Sequence, residues 1–157
     1  ILSRPVARFD AGASVDVFAR AHGPEAAAAV MDFYASPSEA TFAPYVMAVL
    51  RSFQTSQPTE VAELLLSAEW FSRPTIHWFA GEAREFDLRP DAERVAVPTL
   101  VLAGENDALM PIRGAEELVA ALPSDIVRFE RFQTGNSLYA EDPRAVDVTL
   151  DFVRASH

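Results

Sequence analysis

The feature that most constrains this chain is the uninterrupted apolar segment VAVPTLVLAG at residues 95–104, which closes on Gly104. A short continuous run of this kind is typical of a strand that is buried on both faces. Strands with two buried faces belong to parallel sheets, where helices cover each side. The segment therefore predicts an α/β fold with a parallel sheet.

The residues that follow predict one helix and one further strand. The segment PIRGAEELVAALP has an amphipathic pattern, so we expect a helix that begins near Pro111 and stops before Pro123. The segment DIVRFERF alternates well enough for a second strand, with Val127 and Phe129 on the same face. Helix and strand thus alternate from residue 95 onward.

The carboxyl-terminal segment predicts a last helix. Asp142 is a good capping residue, and Pro143 suits the first helical position. We expect Val146, Leu150 and Val153 to form its buried stripe. Two parallel strands make a poor independent sheet, so we also expect the sheet to need strands from elsewhere.

The first half of the chain is helical in pattern. We expect Ser14 to cap one helix, Pro24 to start the next, and Ser36 to Glu39 to form a capping box for a third. We expect Pro44, Pro58 and Pro74 to start or break helices. The resulting organisation is the end of a core strand with its loop at 1–9, an all-helical segment at 10–86, and an α/β segment at 87–157.

Composition excludes several classes of function. The net charge of −10 in 157 residues repels nucleic acid and anionic membranes, so we expect neither as a partner. The chain has no cysteine, and its three histidines lack the spacing of metal ligands. We therefore expect no metal and no cofactor. The lack of cysteine does not indicate a compartment, and a cytoplasmic location is the default expectation.

Two loops carry the residues of chemical interest. Asp107 lies just beyond the strand at 95–104, and Asn136 lies in FQTGNSLYAEDP, which follows the next strand. The carboxyl ends of parallel strands are where open α/β sheets gather functional groups. Taken alone, Asp107 is most simply a turn residue or a helix cap.

Together these segments resemble the carboxyl-terminal half of the α/β-hydrolase family, especially the proline iminopeptidase-like members with a helical cap. The resemblance rests on VPTLVLAGENDALMP at 97–111, on the loop with its Asp-Pro helix start, and on REFDLRPDAERVAVP at 84–98. It implies a serine hydrolase of esters or amides in which Asp107 is the triad acid. Asn136 stands where that family has the triad histidine.

The sequence departs from the family in two ways. The Gly-x-Ser-x-Gly nucleophile motif is absent, so the resemblance implies that an amino-terminal half carrying the serine precedes Ile1. Asn136 cannot shuttle protons, because an amide has no basicity at neutral pH. We expect the Asp107 side chain to lie within hydrogen-bond reach of residue 136, and Asn136→His to raise activity.

Three explanations of Asn136 remain open. It is a substitution made to trap a substrate, a mark of a natural non-catalytic relative, or a misaligned position with His77 or His22 as the base. Trp78, Glu82 and Glu85 are candidate substrate-binding residues of the cap, since the aminopeptidase members use carboxylates to hold a free amine. Solvated helix charges are the simpler interpretation of both glutamates.

The principal alternative function is a binding protein, in which the same fold serves as a small-molecule receptor without turnover. Asn136 favours this alternative. A third possibility is an autonomous small α/β domain.

Overall fold

The computed structural model describes residues 1–52, 63 and 66–156. Contacts divide the chain into two compact units. Residues 1–8 and 87–157 form one, called here the α/β unit, and residues 9–86 form the other, called the helical unit. The roles of core and cap that the sequence suggests for these segments remain predictions.

The α/β unit is built on a parallel sheet, as the sequence predicts. Its strands are β1 (Leu2–Ser3), β2 (Thr99–Gly104) and β3 (Val127–Phe132), in the order β1-β2-β3. Both pairings are parallel, and Val101 of β2 lies opposite Phe129 of β3. Every residue of β2 is buried, which confirms a strand covered on both faces over Thr99–Gly104. The first part of the apolar run, residues 95–98, lies outside the strand, and Val97 is 63% exposed.

Each face of β2 contributes to a separate apolar core because successive side chains alternate between the faces. On one face, Val101 and Ala103 pack with residues of helix α6 (Ile112–Ala121) such as Leu118. On the other face, Leu100 and Leu102 share a core of residues from β3 onward, namely Phe132, Leu138, Ala145, Val148 and Phe152. The sheet is therefore a middle layer between helices.

The last helix, α8, spans Arg144–Ala155, and its predicted buried stripe is wrong. Val146, Leu150 and Val153 are 43%, 45% and 39% exposed. The helix is rotated so that Ala145, Val148 and Phe152 face the sheet instead. Both stripes have helical spacing, and the close approach of the small Ala145 places its own side against the sheet.

Shorter elements complete the α/β unit. Helix α5 spans Arg89–Ala92, and helix α7 spans Leu138–Glu141. Helix α6 agrees with its predicted bounds, and Pro111 immediately precedes it. Helix α8 begins one residue later than predicted, with Pro143 rather than Asp142 at its N-cap. The Asp142 carboxylate accepts a hydrogen bond from the backbone N–H of Arg144 at 3.0 Å.

Helices form the described part of the second unit. They are α1 (Ala11–His22), α2 (Pro24–Ala35), α3 (Glu39–Leu50), α4 (Glu69–Ala80) and a 3-10 turn at Glu82–Arg84. Pro24 is the first residue of α2, as predicted. Pro58 lies outside the described residues.

Three local predictions in the helical unit are wrong. Asp10 rather than Ser14 caps α1, because Asp10 precedes the helix and accepts from the N–H of Ala13, whereas Ser14 lies inside and is buried. The capping box of α3 joins Ser38 to Thr41 rather than Ser36 to Glu39. Pro44 and Pro74 lie within α3 and α4, where packing of the helices outweighs one missing hydrogen bond each.

Aromatic rings dominate the core of the helical unit. Phe33 is fully buried, and its ring lies within 4.3 Å to 6.2 Å of four others, centroid to centroid. Those rings belong to Tyr34, Phe42, Tyr45 and Phe79. Among the described residues, no helix is both long enough and apolar enough to cross a bilayer.

Candidate active site at the carboxyl ends of the strands

Asp107 lies in the loop that follows β2 and is 1% exposed. Its Oδ1 accepts hydrogen bonds from the backbone N–H groups of Leu109 and Met110, each at 2.9 Å. The carboxylate thus stabilises the turn that leads to α6, which is the simpler role considered from the sequence. One oxygen meets this role in full and leaves Oδ2 for a different partner.

Asn136 lies in the loop that follows β3 and is 3% exposed. The carboxylate of Glu141 holds the backbone on both sides of it. Oε2 accepts from the N–H of Gly135 at 2.7 Å, and Oε1 accepts from the N–H of Ser137 at 2.9 Å. The backbone position of residue 136 is therefore set by its neighbours rather than by its own side chain.

The two loops lie against each other because Gly104 has no side chain. A Cβ at position 104 would lie 2.5 Å from the carbonyl oxygen of Thr134 and 2.7 Å from that of Gly135. The N–H of Asn106 donates to the Thr134 carbonyl at 3.0 Å, which ties the loops together. This close approach brings the Asp107 loop beside the Asn136 loop.

Arg4 joins the two side chains. Its Nε donates to Oδ2 of Asp107 at 2.8 Å, and its Nη2 donates to Oδ1 of Asn136. Arg4 directly follows β1, and its backbone N–H donates to the carbonyl of Leu102 on β2 at 2.8 Å. We call this arrangement of Arg4, Asp107 and Asn136 the Arg4 bridge.

The Arg4 bridge differs from the direct contact expected from the sequence. Asp107 and Asn136 lie at the same edge of the sheet, as expected for loops that follow parallel strands. Within the described residues their side chains are linked through the guanidinium and not by a hydrogen bond to each other. The guanidinium can only donate, so it fixes the carbonyl end of the Asn136 amide toward Arg4.

Sequence reasoning missed Arg4 and Glu141. Arg4 had the same signal as Asp107, because it follows a strand of the same parallel sheet, but a strand of two residues has no detectable pattern. The signal for Glu141 was its position as a carboxylate in the same segment as Asn136. Its use as a clasp on two N–H groups depends on the turn that α7 makes.

The remaining candidates lie in the helical unit. Trp78 is 39% exposed, and Glu82 and Glu85 are exposed at and just after the 3-10 turn, so their substrate-binding role stays a prediction. His77 is exposed near the end of α4. His22 is half-buried, and its Nε2 lies 3.0 Å from Oγ of Ser52.

The chemistry open to the Arg4 bridge is limited by its side chains. Asp107 is a buried carboxylate with a permanent cation beside it, and Asn136 offers an amide with no basicity near neutral pH. The arrangement can orient and bind groups but holds no proton shuttle of its own. In the described part of the chain, no group of three acidic or histidine residues could hold a metal ion.

The parallel sheet between helices matches part of the α/β-hydrolase fold. Solved structures with this fold match nearly the whole chain. MGS-M2, an α/β-hydrolase enzyme from a Medee basin deep-sea metagenome library, is 18% identical with a TM-score of 0.58, over 96% of this chain and 54% of that one. A hydrolase from Pseudomonas aeruginosa PA01 is 18% identical with a TM-score of 0.56, over 97% of this chain and 54% of that one.

These similarities show the fold, and the chain spans about half the length of the two hydrolases. No family model and no curated protein sequence matches the chain.

Proposed function

We propose that the chain supplies the acid loop, the base loop and the helical cap of a serine α/β hydrolase. In this proposal an amino-terminal part of the fold carries the nucleophilic serine. The observation that supports it most directly is the convergence of Asp107 and Asn136, which follow neighbouring parallel strands and are joined through one guanidinium. The matching hydrolases contain a further part of the fold with no counterpart here, since the chain covers 54% of each.

The proposed reaction is hydrolysis of a small ester or amide through an acyl-enzyme. Serine attacks the carbonyl carbon, its proton passes to a base, and the leaving group departs with that proton. Water then attacks the acyl group and needs the same base again. Asp107 is positioned to orient such a base, but Asn136 cannot accept the proton, so both steps are slow in this chain.

The proline iminopeptidase-like subclass is our preferred refinement. In it, the helical unit is the cap, and Trp78, Glu82 and Glu85 are the residues that bind substrate. These side chains are exposed, so a ligand can reach them. Two exposed carboxylates that follow a tryptophan closely in the sequence suit a substrate with a free amine, because an ammonium pairs with carboxylates and is attracted to an indole face. We propose no nucleic-acid or membrane partner on the strength of the charge of −10, and a cytoplasmic location as the default.

A small-molecule receptor of the same fold is the second candidate. The observation that favours it is the Arg4 bridge, in which the oxygen of Asp107 that could orient a base is already occupied by Nε of Arg4. In this candidate, Arg4 keeps Asp107 from orienting a triad base, so a ligand is bound without being turned over. The two candidates share the fold and differ in whether a serine becomes acylated.

The experiment that separates them is to incubate the native gene product containing these residues with an activated ester. Intact and peptide mass spectrometry then locate any acyl group. We expect one acylated serine outside residues 1–157, and the adduct should persist because deacylation lacks its base. The heat-denatured protein is the control for nonspecific acylation.

Absence of any adduct above that control would favour the receptor. An adduct on Ser14 or Ser137 would contradict the proposed position of the nucleophile.

A further inference from the structure

Arg4 is held in an unusual backbone conformation. Its φ is +55°, and among the described residues it is the only non-glycine residue with a positive φ. Residues other than glycine, asparagine and aspartate rarely adopt this backbone conformation, because their Cβ atom crowds the backbone. The Arg4 side chain is 28% exposed, whereas the Asp107 side chain that it meets is fully buried. In this strained backbone conformation, the Arg4 guanidinium contacts the buried carboxylate of Asp107.

Arg4 bonds the oxygen of Asp107 that does not hold the turn before α6. Oδ1 accepts from two backbone N–H groups, and Oδ2 accepts from Arg4 at 2.8 Å. The second arm of the same guanidinium reaches Oδ1 of Asn136. Arg4 therefore lies where a side chain at position 136 would have to meet Asp107.

A guanidinium keeps its charge at all physiological pH values and can only donate hydrogen bonds. A triad histidine instead gains and loses its charge, and donates from one ring nitrogen to the acid while the other accepts a proton. If an imidazole replaced the Asn136 amide, Nη2 of Arg4 would donate to the ring nitrogen that faces it. That nitrogen would then be unprotonated, and the proton would sit on the nitrogen that must act as the base.

We propose that Arg4 is a positioning residue that has taken the place of the histidine as the ionic partner of Asp107. It holds the site in a non-catalytic state, so activity requires a change at position 4 as well as at position 136. This inference rests on the proposed function for its catalytic consequence. It also predicts, unlike the sequence alone, that Asn136→His by itself raises activity little.

The test compares the native gene product with Asn136→His, with Arg4→Met/Asn136→His and with Arg4→Lys/Asn136→His. Methionine keeps most of the length of arginine without its charge, and lysine keeps the charge without the two-armed guanidinium. The first readout is the pKa of the introduced imidazole, measured by NMR on histidine-labelled protein. The native spectrum identifies the signals of the other histidines.

The charged groups around the introduced ring are Arg4 and Asp107 in the bridge, and Glu141, which accepts from the backbone N–H groups on both sides of it. Glu141 is the same in all variants. Removing the cation of Arg4 and freeing Asp107 both favour the protonated ring. We expect Arg4→Met/Asn136→His to titrate about one to three pH units above Asn136→His. We expect Arg4→Lys/Asn136→His to lie between them.

The second readout is the single-turnover acylation rate with an activated ester. We expect Asn136→His to raise it by less than about tenfold, because the tautomer is wrong, and Arg4→Met/Asn136→His to raise it by about 10³- to 10⁴-fold. Equal imidazole pKa values in Asn136→His and Arg4→Met/Asn136→His would overturn the role of Arg4. A full recovery of activity in Asn136→His would overturn it as well.

The pKa readout needs no turnover, so it separates this inference from the proposed function. A pKa difference without acylation in any variant supports the role of Arg4 and rejects the hydrolase. Should loss of the guanidinium prevent folding in Arg4→Met/Asn136→His, the comparison of Asn136→His with Arg4→Lys/Asn136→His decides. An unchanged pKa between those two rejects the inference.

Discussion

The α/β unit and the helical unit differ in how they satisfy buried polar groups. In the α/β unit, a buried carboxylate is paired with a guanidinium and two backbone N–H groups. In the helical unit, the buried polar cluster consists of neutral hydroxyls, with Ser14 Oγ 3.5 Å from the Tyr34 hydroxyl among aromatic rings. Burial raises the pKa of Tyr45 well above its usual value of 10, so this hydroxyl, neutral in any case near pH 7, ionises even less readily than usual.

This contrast shows that the buried ion pair described here belongs to the α/β unit. A buried charge is tolerated only with a counter-charge and good hydrogen bonds, and such an arrangement is expensive to maintain. The helical unit avoids that cost by packing rings. The α/β unit buries a charge, that of Asp107, at the carboxyl ends of its strands, where the candidate active site lies.

The largest effect that would sharpen this contrast is expected from Phe33→Ala in the helical unit. The ring is fully buried against four others, so its removal leaves a cavity and should cost about 3 to 5 kcal/mol. Hydrogen exchange of the α2 amides in the native gene product measures the loss. Met31→Ala in the same helix is the control, because Met31 is 53% exposed. Equal exchange in both variants would show that ring packing does not stabilise this unit.

The next effect is expected from Gly104→Ala in the α/β unit. The added Cβ would overlap the Thr134 carbonyl oxygen at 2.5 Å, and we expect a cost of about 1 to 3 kcal/mol with faster exchange of the Asn106 amide. Gly12→Ala, in the first turn of α1, is the control, since its Cβ would meet Asp10 at 3.5 Å. Unchanged exchange at Asn106 would mean that the loops do not depend on this close approach.

A smaller effect is expected from Glu141→Gln. Glutamine has one acceptor oxygen and one NH2 group in place of two oxygens. One of the two N–H groups beside residue 136 would therefore face an NH2 donor instead of an acceptor, at a cost of about 1 to 2 kcal/mol. Faster exchange of the Gly135 and Ser137 amides is the expected sign. Glu130→Gln is the matched control, because Glu130 bonds only the exposed Arg128 in the described contacts. If the control alters exchange as much as Glu141→Gln, the clasp has no special role.

The smallest effect concerns the pH response of the helical unit. Burial, with a lesser contribution from the Arg51 charge, lowers the pKa of His22 from 6.5. The folded unit therefore binds this proton less readily than the unfolded chain, so its stability falls as the pH drops below about 6.5 and is unaffected above it. Urea unfolding at about pH 5.5 and about pH 7.5 should show this, and His22→Gln should weaken the dependence. An unaltered dependence in that variant would assign it to other groups.

Sequence periodicity was sufficient for the sheet and most helices because these depend on local pattern. The run that forms β2 and the alternation that forms β3 both have strong signals. The buried face of α8 was not predictable, since two stripes of equal spacing compete and tertiary packing selects Ala145 over Val146. The cap of α1 was misplaced for a related reason, as Asp10 and Ser14 are both good capping residues.

The candidate site was predictable only in part. Asp107 and Asn136 could be found because each follows a strand of a parallel sheet. Arg4 could not be paired with them, because the contact joins residues 103 positions apart and depends on a positive φ that no sequence pattern reveals.

The Glu141 clasp has a consequence for how this protein can change. Because one carboxylate holds the chain on both sides of residue 136, the backbone there has an anchor that does not depend on the side chain at that position. A substitution at position 136 is therefore limited by the room around its buried side chain, which is 3% exposed, more than by the need to hold the loop in place. Exchange of a proton-transferring ring for an amide is a single step of that kind, and so is its reversal.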